Sequence, residues 1–387
     1  MYDAVMAFDR SFAPYYVTTP PPVGASMEAA ATAAAYQVLY TEITDPMQRL
    51  LIQARFDNHL AEIPDVSARA AGVAYGQSVA EAIRILRAAD GSMMAMMMEH
   101  PDGTLPGEWR RTESGAPLAP GWGLVTPWIM TGADQFDQGG PPDLTSAEYA
   151  AAYDEVRLWG DVNSTLRSED QTAAVLFWEN HPQPKWYAVA RDISDVENLT
   201  LAENAQLFHL LSMTMADATI ATWDAKFNYN FWRPETAIHL GDTDGNDATI
   251  ADPAWQSLIA SPAFPEYFSG HGMQSAAAAE LLELFFGHGD YTFQMTAMPG
   301  MHLPGMEMTV PRTYDSFWEA AEEAAMSRLW GGIHFQFSNQ DALAAGAQLA
   351  QYVYEDSVTL ADLVPPSVTI DQAVGQADPT SAAPVHF

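Results

Sequence analysis

Apolar residues recur at helical spacing along most of the chain. Val73, Val79 and Ile83 illustrate the pattern within residues 65–89, and residues 26–42 are rich in alanine, the strongest helix former. Alternating patterns of the kind that predict strands are scarce. The spacing predicts helices over residues 26–42, 45–60, 65–89, 146–160, 169–180, 200–232, 272–286, 315–330 and 339–356.

One long segment interrupts this pattern. Residues 101–145 contain many glycines and prolines and several tryptophans, without a helical or strand period. A connection of that length is usually functional or packed tightly on the core. We therefore predict an all-α protein, a helical bundle with long irregular loops, which forms a single domain over residues 1–387.

Charge narrows the range of partners. The chain carries 50 acidic and 16 basic residues, which gives a net charge of −34. It therefore lacks the basic footprint that binding to nucleic acid or to an anionic membrane surface requires. No apolar run approaches the length of a membrane span, and there is no cysteine for a disulfide, a thiolate nucleophile or a metal site. Any anion site must gather the scarce cations locally.

Lys226 and Arg233 form the first of three clusters of chemically suitable residues. On a continuous helix a separation of seven residues is nearly two turns, so both cations would face the same way. Pro234 disfavours helical geometry at Arg233 and predicts the end of the helix there. The pair indicates an anion site; the alternative is two solvated surface cations.

The second cluster is Ser269-Gly270-His271, a short polar turn that opens an alanine-rich helix. Backbone N–H groups at a helix N-terminus bind anions, and a glycine allows close approach of the backbone. Ser269 adds a hydroxyl, and His271 adds a group that exchanges protons near neutral pH. The alternative is a serine helix cap with an incidental histidine.

The third cluster contains Arg328 and His334, separated by Gly331 and Gly332. Their spacing corresponds to roughly 240° on a continuous helix, so the two side chains converge only if the glycines redirect the chain. The alternative for His334 is a packed loop residue. Together, the three clusters offer cations, a hydroxyl, backbone N–H groups and two histidines, a set suited to a trigonal, triply charged oxyanion.

These clusters resemble the three signatures of the superfamily that unites vanadium-dependent haloperoxidases with type-2 phosphatidic acid phosphatases. The signatures are, in chain order, Lys-x6-Arg-Pro, Pro-Ser-Gly-His and Ser-Arg-x5-His-x3-Asp. Phe268 stands where the second has proline, and Ser338 stands where the third has aspartate, which removes a partner for His334 or Arg328. The anion-site positions that match in order and spacing are Lys226, Arg233, Ser269, Gly270, His271, Arg328 and His334.

Shorter segments resemble the soluble bacterial haloperoxidase-like branch of this superfamily. They are Met1-Tyr-Asp-Ala-Val, Gly123-Leu-Val-Thr-Pro and Ser164-Thr-Leu-Arg-Ser. In that branch the first segment follows an export signal, which this chain does not show. The resemblance therefore implies a natural N-terminus upstream of Met1, a periplasmic or secreted location, and an active-site half over about residues 200–356.

The resemblance implies a role for each matching residue. Vanadate is the implied cofactor, with His271 as the acid–base group, His334 as the axial vanadium ligand and Lys226 as the group that polarises bound peroxide. Trp223 and Phe264 match halide-side positions, for which core packing is the alternative. The residues implied to hold the equatorial oxygens are Lys226, Arg233, Ser269, Gly270 and Arg328.

The implied reaction is the oxidation of bromide or chloride by hydrogen peroxide to hypohalous acid, which then reacts with a small organic acceptor. Phosphate can occupy the same site, because vanadate resembles the transition state of phosphate transfer. The alternative is therefore a soluble acid phosphatase, in which His334 attacks a phosphate monoester and His271 protonates the leaving group. A third alternative is a phosphate-binding protein without catalysis. The oligomeric state stays open and includes a homo-oligomer.

Overall fold

The computed structural model describes residues 1–112, 115–296 and 310–362, with side chains up to residue 356. Within these residues the chain forms thirteen α-helices and one two-stranded antiparallel sheet. In chain order the elements are α1 (Tyr2–Asp9), α2 (Met27–Glu42), α3 (Pro46–Ala61), α4 (Val66–Arg87), α5 (Ser92–Ala95), α6 (Ala147–Trp159), α7 (Glu169–Phe177), α8 (Gln183–Val196), α9 (Leu201–Tyr229), α10 (Pro234–His239), α11 (Gly270–Phe286), β1 (Phe293–Met295), β2 (Arg312–Tyr314), α12 (Phe317–Trp330) and α13 (Gln336–Asp362).

The all-α fold predicted from the sequence is confirmed, and residues 101–145 form no α-helix where the structure describes them. Helix α8 was not predicted, because Pro182 and Pro184 are typical of a helix break. In the structure Pro182 precedes the helix and Pro184 lies in its first turn, where a missing N–H group removes no helical hydrogen bond. None of the helices described combines the length and the apolar character needed to cross a membrane.

Helix α11 lies at the centre of the larger hydrophobic core. It packs against α9, α12 and α13, and the alanines at residues 276–279 are fully buried. The small side chains let the helices approach closely: a Cβ added to Gly346 of α13 would lie 2.4 Å from the carbonyl oxygen of Met273. Such close packing leaves little freedom of movement, so it fixes the N-terminus of α11 relative to its neighbours.

Helices α1, α2 and α4 form a second, smaller core. Gly76 of α4 lies so close to α2 that an added Cβ would be 2.1 Å from the carbonyl oxygen of Ala30. The ring of Tyr2 stacks on His209 of α9, with 3.9 Å between the ring centroids. The N-terminal helices therefore support the same long helix that carries Lys226.

Asp217 on α9 binds the irregular segment, residues 101–145, to the helical bundle. Its buried carboxylate accepts hydrogen bonds from the backbone N–H groups of Trp128, Ile129 and Met130, at 2.7, 2.8 and 2.9 Å. Three bonds to one carboxylate satisfy backbone groups that lack a partner in a helix or sheet. The segment is thus packed on the core, as its length predicted.

Replacing Asp217 with asparagine should lower the free energy of unfolding by about 2–3 kcal/mol, because the amide turns one acceptor into a donor that faces backbone N–H groups. Asp143→Asn is the matched control: its carboxylate is exposed and accepts only within a local turn, from Thr145. We expect the control to change stability by about 0.5 kcal/mol or less. Urea unfolding followed by circular dichroism measures both, and equal effects would contradict the role of Asp217.

Candidate active site

A change in chain direction, and not a continuous helix, brings Lys226 and Arg233 together. Helix α9 ends at Tyr229, and Asn230 follows in the left-handed conformation, with φ 49°. Arg233 is extended, with φ −78° and ψ 154°, because Pro234 follows it and opens α10. The prediction that both cations share one helix face is wrong, whereas the predicted effect of Pro234 on Arg233 is confirmed.

Two aromatic rings flank these cations. The ring centroid of Phe264 lies 5.1 Å from the Lys226 ammonium and 5.0 Å from the central guanidinium carbon of Arg233. Trp223 lies beside Phe264, with 5.1 Å between the ring centroids, and its indole N–H donates to the carbonyl of Leu118 at 3.1 Å. Both rings are partly exposed. They therefore border the cation cluster and are not buried within the hydrophobic core.

Lys226 holds the turn that follows Phe264. Its Nζ donates to the carbonyl oxygens of Pro265, Glu266 and Phe268, at 3.1, 2.8 and 2.7 Å. An ammonium group has three N–H bonds, so all of its donors are used. Phe268, which replaces the proline of the signature, supplies one of these carbonyls. Its side chain is buried.

The N-terminus of α11 presents the second cluster. Ser269 is the helix cap, and its Oγ accepts from the N–H of Gly272 at 3.4 Å. The N–H groups of Gly270 and His271 lie in the first turn, where a helix offers no acceptor of its own. His271 Nε2 donates to the carbonyl of Asn180 at 3.1 Å, which leaves Nδ1 without a proton in the neutral ring.

Gly332 redirects the chain between Arg328 and His334. Its φ is 78°, a left-handed conformation that glycine adopts without strain. The N–H groups of Ile333 and His334 both donate to the carbonyl of Arg328, at 3.1 and 3.3 Å. The turn brings His334 Nε2 to 3.1 Å from Nη1 of Arg233. The first and third clusters therefore meet in space, as their chemistry predicted.

Glu266 fixes the orientation of the His334 ring, and sequence analysis missed it. His334 Nδ1 donates to Glu266 Oε1 at 2.7 Å, and the N–H of Phe335 donates to the same oxygen at 3.0 Å. Nη1 of Arg233 can only donate a hydrogen bond, so Nε2 of His334 holds the lone pair and Nδ1 holds the ring proton. Ser338 Oγ lies 3.3 Å from Nδ1. The expected loss of a partner is therefore not seen at His334, whose Nδ1 contacts both Glu266 and Ser338.

The buried positive charge of the site is only partly matched by carboxyls: Glu266 acts on Lys226 and Arg233, and Glu179 acts on Arg328. Lys226, Arg233 and Arg328 are buried, and none of them forms a salt bridge with any residue that the structure describes. Burial lowers the pKa of Arg233 to about 10 and that of Arg328 to about 9, and lowers the pKa of Lys226 well below its ordinary value. Burial raises the pKa of Glu266 to about 7, so this carboxyl is only partly ionised at neutral pH.

The site is closed around the cations and opens beside His271. Ser269 and His334 are buried, whereas Gly270 and His271 are partly exposed. Burial lowers the pKa of His271 well below its ordinary value, and the positive charge of Arg328 lowers it further. In the anion-free protein His271 is therefore neutral near pH 7, and its ring lies between the cations and solvent.

The end of α7, the start of α8 and the connection between them form another wall of the site that sequence analysis missed. The carbonyl of Val175 accepts from Arg328 Nη2 at 3.3 Å, and Asn180 accepts from His271. Lys185, in the first turn of α8, is buried nearby. Two features of the sequence could have pointed to Lys185 and Glu266. Lys185 is one of only 16 basic residues, and Glu266 is an isolated acid in an otherwise apolar and proline-rich stretch.

Substitution of Glu266 by glutamine tests its titration. A pKa raised in the folded protein means that the folded state holds the proton more tightly, so the associated stability is present at low pH and is lost as pH rises through 7. In the anion-free protein, the stability of the wild type relative to Glu266→Gln should therefore fall by roughly 2–3 kcal/mol between about pH 5 and pH 8. Denaturant unfolding across this range measures the difference. A difference that stays constant, or that grows with pH, would contradict the protonation behaviour of Glu266.

Comparison with known proteins gives a consistent result. Residues 206–362 match the family described as the VCPO second helical-bundle domain. The vanadium chloroperoxidase of Curvularia inaequalis is 27% identical over 290 residues, in an alignment that covers 59% of this chain and 46% of that protein. The chain thus spans less than half the length of this curated relative.

Solved structures with the same fold are also similar. The crystal structure of a bacterial vanadium-dependent iodoperoxidase superposes with a TM-score of 0.76 and 25% identity, over 92% of this chain and 87% of that one. A bacterial vanadium-dependent chloroperoxidase in its holo form gives a TM-score of 0.72 over 93% and 89% of the two chains; at 16% identity this likeness concerns the fold alone. The resemblance indicated by the three clusters is therefore confirmed: this chain is similar to vanadium-dependent haloperoxidases in its second helical bundle and in its fold.

Proposed function

We propose that this protein uses vanadate to oxidise bromide or chloride with hydrogen peroxide to hypohalous acid. The observation that carries the proposal is the burial of Lys226, Arg233 and Arg328 without a salt bridge among the described residues. Buried charges are costly unless they are paired, so these cations favour a bound anion with several negative charges. A further observation fits vanadate: Nη2 of Arg233 is buried and has no hydrogen-bond partner among the residues that the structure describes.

His334 is the residue suited to bind vanadium directly. Its Nδ1 proton is bound by Glu266, so Nε2 holds the lone pair, and the buried carboxyl makes that nitrogen a better donor. Nε2 would bind the metal in place of the hydrogen bond that it accepts from Nη1 of Arg233. The remaining contacts are hydrogen bonds and charge. The residues that would hold the oxygens of vanadate are Lys226, Arg233, Ser269, Gly270 and Arg328.

His271 is the acid–base group in this proposal. When bound, vanadate supplies a Lewis acid that activates hydrogen peroxide towards halide without a change in its oxidation state. A bound anion also brings negative charge close to His271, which raises the lowered pKa of this ring towards neutrality. Nδ1 of His271 can then accept a proton from hydrogen peroxide and return it to the hypohalite, which leaves as hypohalous acid.

Lys226 and the two aromatic residues complete the proposed site. Three carbonyls take the N–H groups of Lys226, so it contributes mainly charge and must release one carbonyl to polarise bound peroxide. Trp223 and Phe264 border the cations at a partly exposed position. We propose that the halide approaches along these rings, since a small polarizable anion is drawn to the positive charge behind them.

Hydrolysis of phosphate monoesters is the competing function. Phosphate would occupy the same cluster, and the Nε2 lone pair of His334, with Glu266 behind it, is also suited to attack phosphorus. The similar proteins named above are haloperoxidases, and this similarity supports the oxidation of halide as the first proposal.

Two substitutions should separate binding from turnover. His334→Ala should abolish vanadate binding and activity, because the imidazole is the covalent anchor of the metal. His271→Ala should keep most of the affinity for vanadate, held by the cations and Ser269, and lose roughly 10²–10⁴-fold in rate. Calorimetry measures the affinity, and peroxide-dependent bromination and hydrolysis of a phosphate monoester measure the two activities on the wild type and both variants.

Three results would overturn parts of this proposal. A wild type that hydrolyses the ester, yet never oxidises halide with vanadate and peroxide present, would establish the phosphatase instead. Unchanged vanadate affinity in His334→Ala would remove His334 as the ligand. Bromination at the wild-type rate in His271→Ala would remove His271 as the acid–base group.

A further inference from the structure

Lys185 is a buried cation to which the proposed mechanism assigns no part. Its side chain is only 2% exposed, and its Nζ has no hydrogen-bond partner among the described residues. The contacts of the ammonium are with aromatic rings: the centroids of Phe177 and Trp178 lie 5.2 and 5.4 Å away. Rings attract a cation but accept none of its three N–H groups in the way that an oxygen does. The protein alone therefore leaves this ammonium group unsatisfied.

Lys185 lies in the same electrostatic surroundings as the proposed anion site. Burial and the positive charge of Arg328 lower the pKa of Lys185 to about 8, and Lys185 in turn lowers the pKa of His271. The chain just before Lys185 also contacts the site, because Asn180 accepts a hydrogen bond from His271. Glu179 acts on Arg328 but is not among the charges that act on Lys185.

The position of Lys185 in α8 makes its charge less favourable still. It lies in the first turn of the helix, and this turn contains no acidic residue. The helix dipole is positive at that end, where an anion is stabilised and a cation is not. Burial, repulsion by Arg328 and the dipole all act against the ammonium, and all three effects are relieved by an anion bound between Lys185, Arg328 and His271.

Lys185 also differs from Lys226 in the availability of its donors. The three N–H groups of Lys226 are taken by carbonyls, whereas those of Lys185 have no acceptor among the described residues. We propose that Lys185 is a binding residue of the oxyanion site and donates a hydrogen bond to an oxygen of bound vanadate or phosphate on the side of His271. This inference rests on the proposed function only in requiring that the site binds a tetrahedral or trigonal oxyanion.

The competing explanation is that Lys185 is held only by its ring contacts and its aliphatic stem. The two explanations predict different results for Lys185→Met, a neutral variant of similar length. If Lys185 binds the anion, the variant loses affinity while the anion-free protein stays as stable as the wild type or becomes more stable, because an unpaired buried charge is removed. If Lys185 is held only by the rings, anion affinity does not change.

Calorimetric titration with inorganic vanadate, and separately with inorganic phosphate, measures the affinity of the full chain. We expect Lys185→Met to bind both anions about 10- to 100-fold more weakly, the range for a lost hydrogen bond between two charged groups. Arg191→Met is the matched control, because Arg191 lies on the same helix but is exposed and pairs with Asp192 at 3.0 Å. The control should bind both anions as the wild type does.

The outcomes separate this inference from the proposed function. If Lys185→Met binds the anions more weakly and the wild type does not oxidise halide, the role of Lys185 is supported and the haloperoxidase proposal is overturned. Equal binding by Lys185→Met and an active wild type would overturn Lys185 alone, and a wild type that binds neither anion would overturn both. Lys185→Gln is a second neutral variant. Failure of both neutral variants to fold would also overturn the inference, because an unbound buried ammonium cannot stabilise the anion-free protein.

Discussion

Positive charge in the protein interior, which nearby carboxyls compensate only in part, is the constraint on which the rest of the structure depends. Lys226, Arg233, Arg328 and Lys185 are buried within a chain whose net charge is −34, and none forms a salt bridge among the described residues. Desolvation makes each of these charges costly, and the pKa of every one is lowered by burial. The nearby carboxyl, Glu266, is itself only partly ionised. The arrangement becomes favourable when an oxyanion supplies the missing negative charge.

The fold meets this constraint by using the ends of helices. Asn230 turns the chain after α9, Ser269 caps α11, and Gly332 redirects the chain after α12. Helix ends leave N–H and carbonyl groups without partners, and here they serve the site: carbonyls hold Lys226, and the start of α11 offers N–H groups to an anion. The close packing of small residues around α11 fixes the positions of these helix ends relative to one another. The partly exposed side of the site, beside His271, gives access from solvent.

The sequence predicted the helices and the cation clusters well, because helical spacing and motif spacing are local properties. It failed where the outcome depends on tertiary contacts. Lys226 and Arg233 were expected on one helix face, but the left-handed Asn230 ends the helix between them. Glu266 was overlooked because its partner, His334, is 68 residues away in the chain. Lys185 was overlooked because two prolines precede it. Such prolines are typical of a break between helices, but here they begin a helix.

The central claim is that an oxyanion completes the cluster of buried cations. The most direct measurement is the free energy of unfolding of anion-free protein in increasing concentrations of inorganic vanadate, with gluconate, a bulky monovalent anion, at the same ionic strength as the control. Ligand that binds only the folded state should raise stability by about 2.7 kcal/mol at a concentration of 100 times its Kd, while gluconate leaves stability unchanged. Stability that does not respond to vanadate, or that responds equally to gluconate, would contradict the claim.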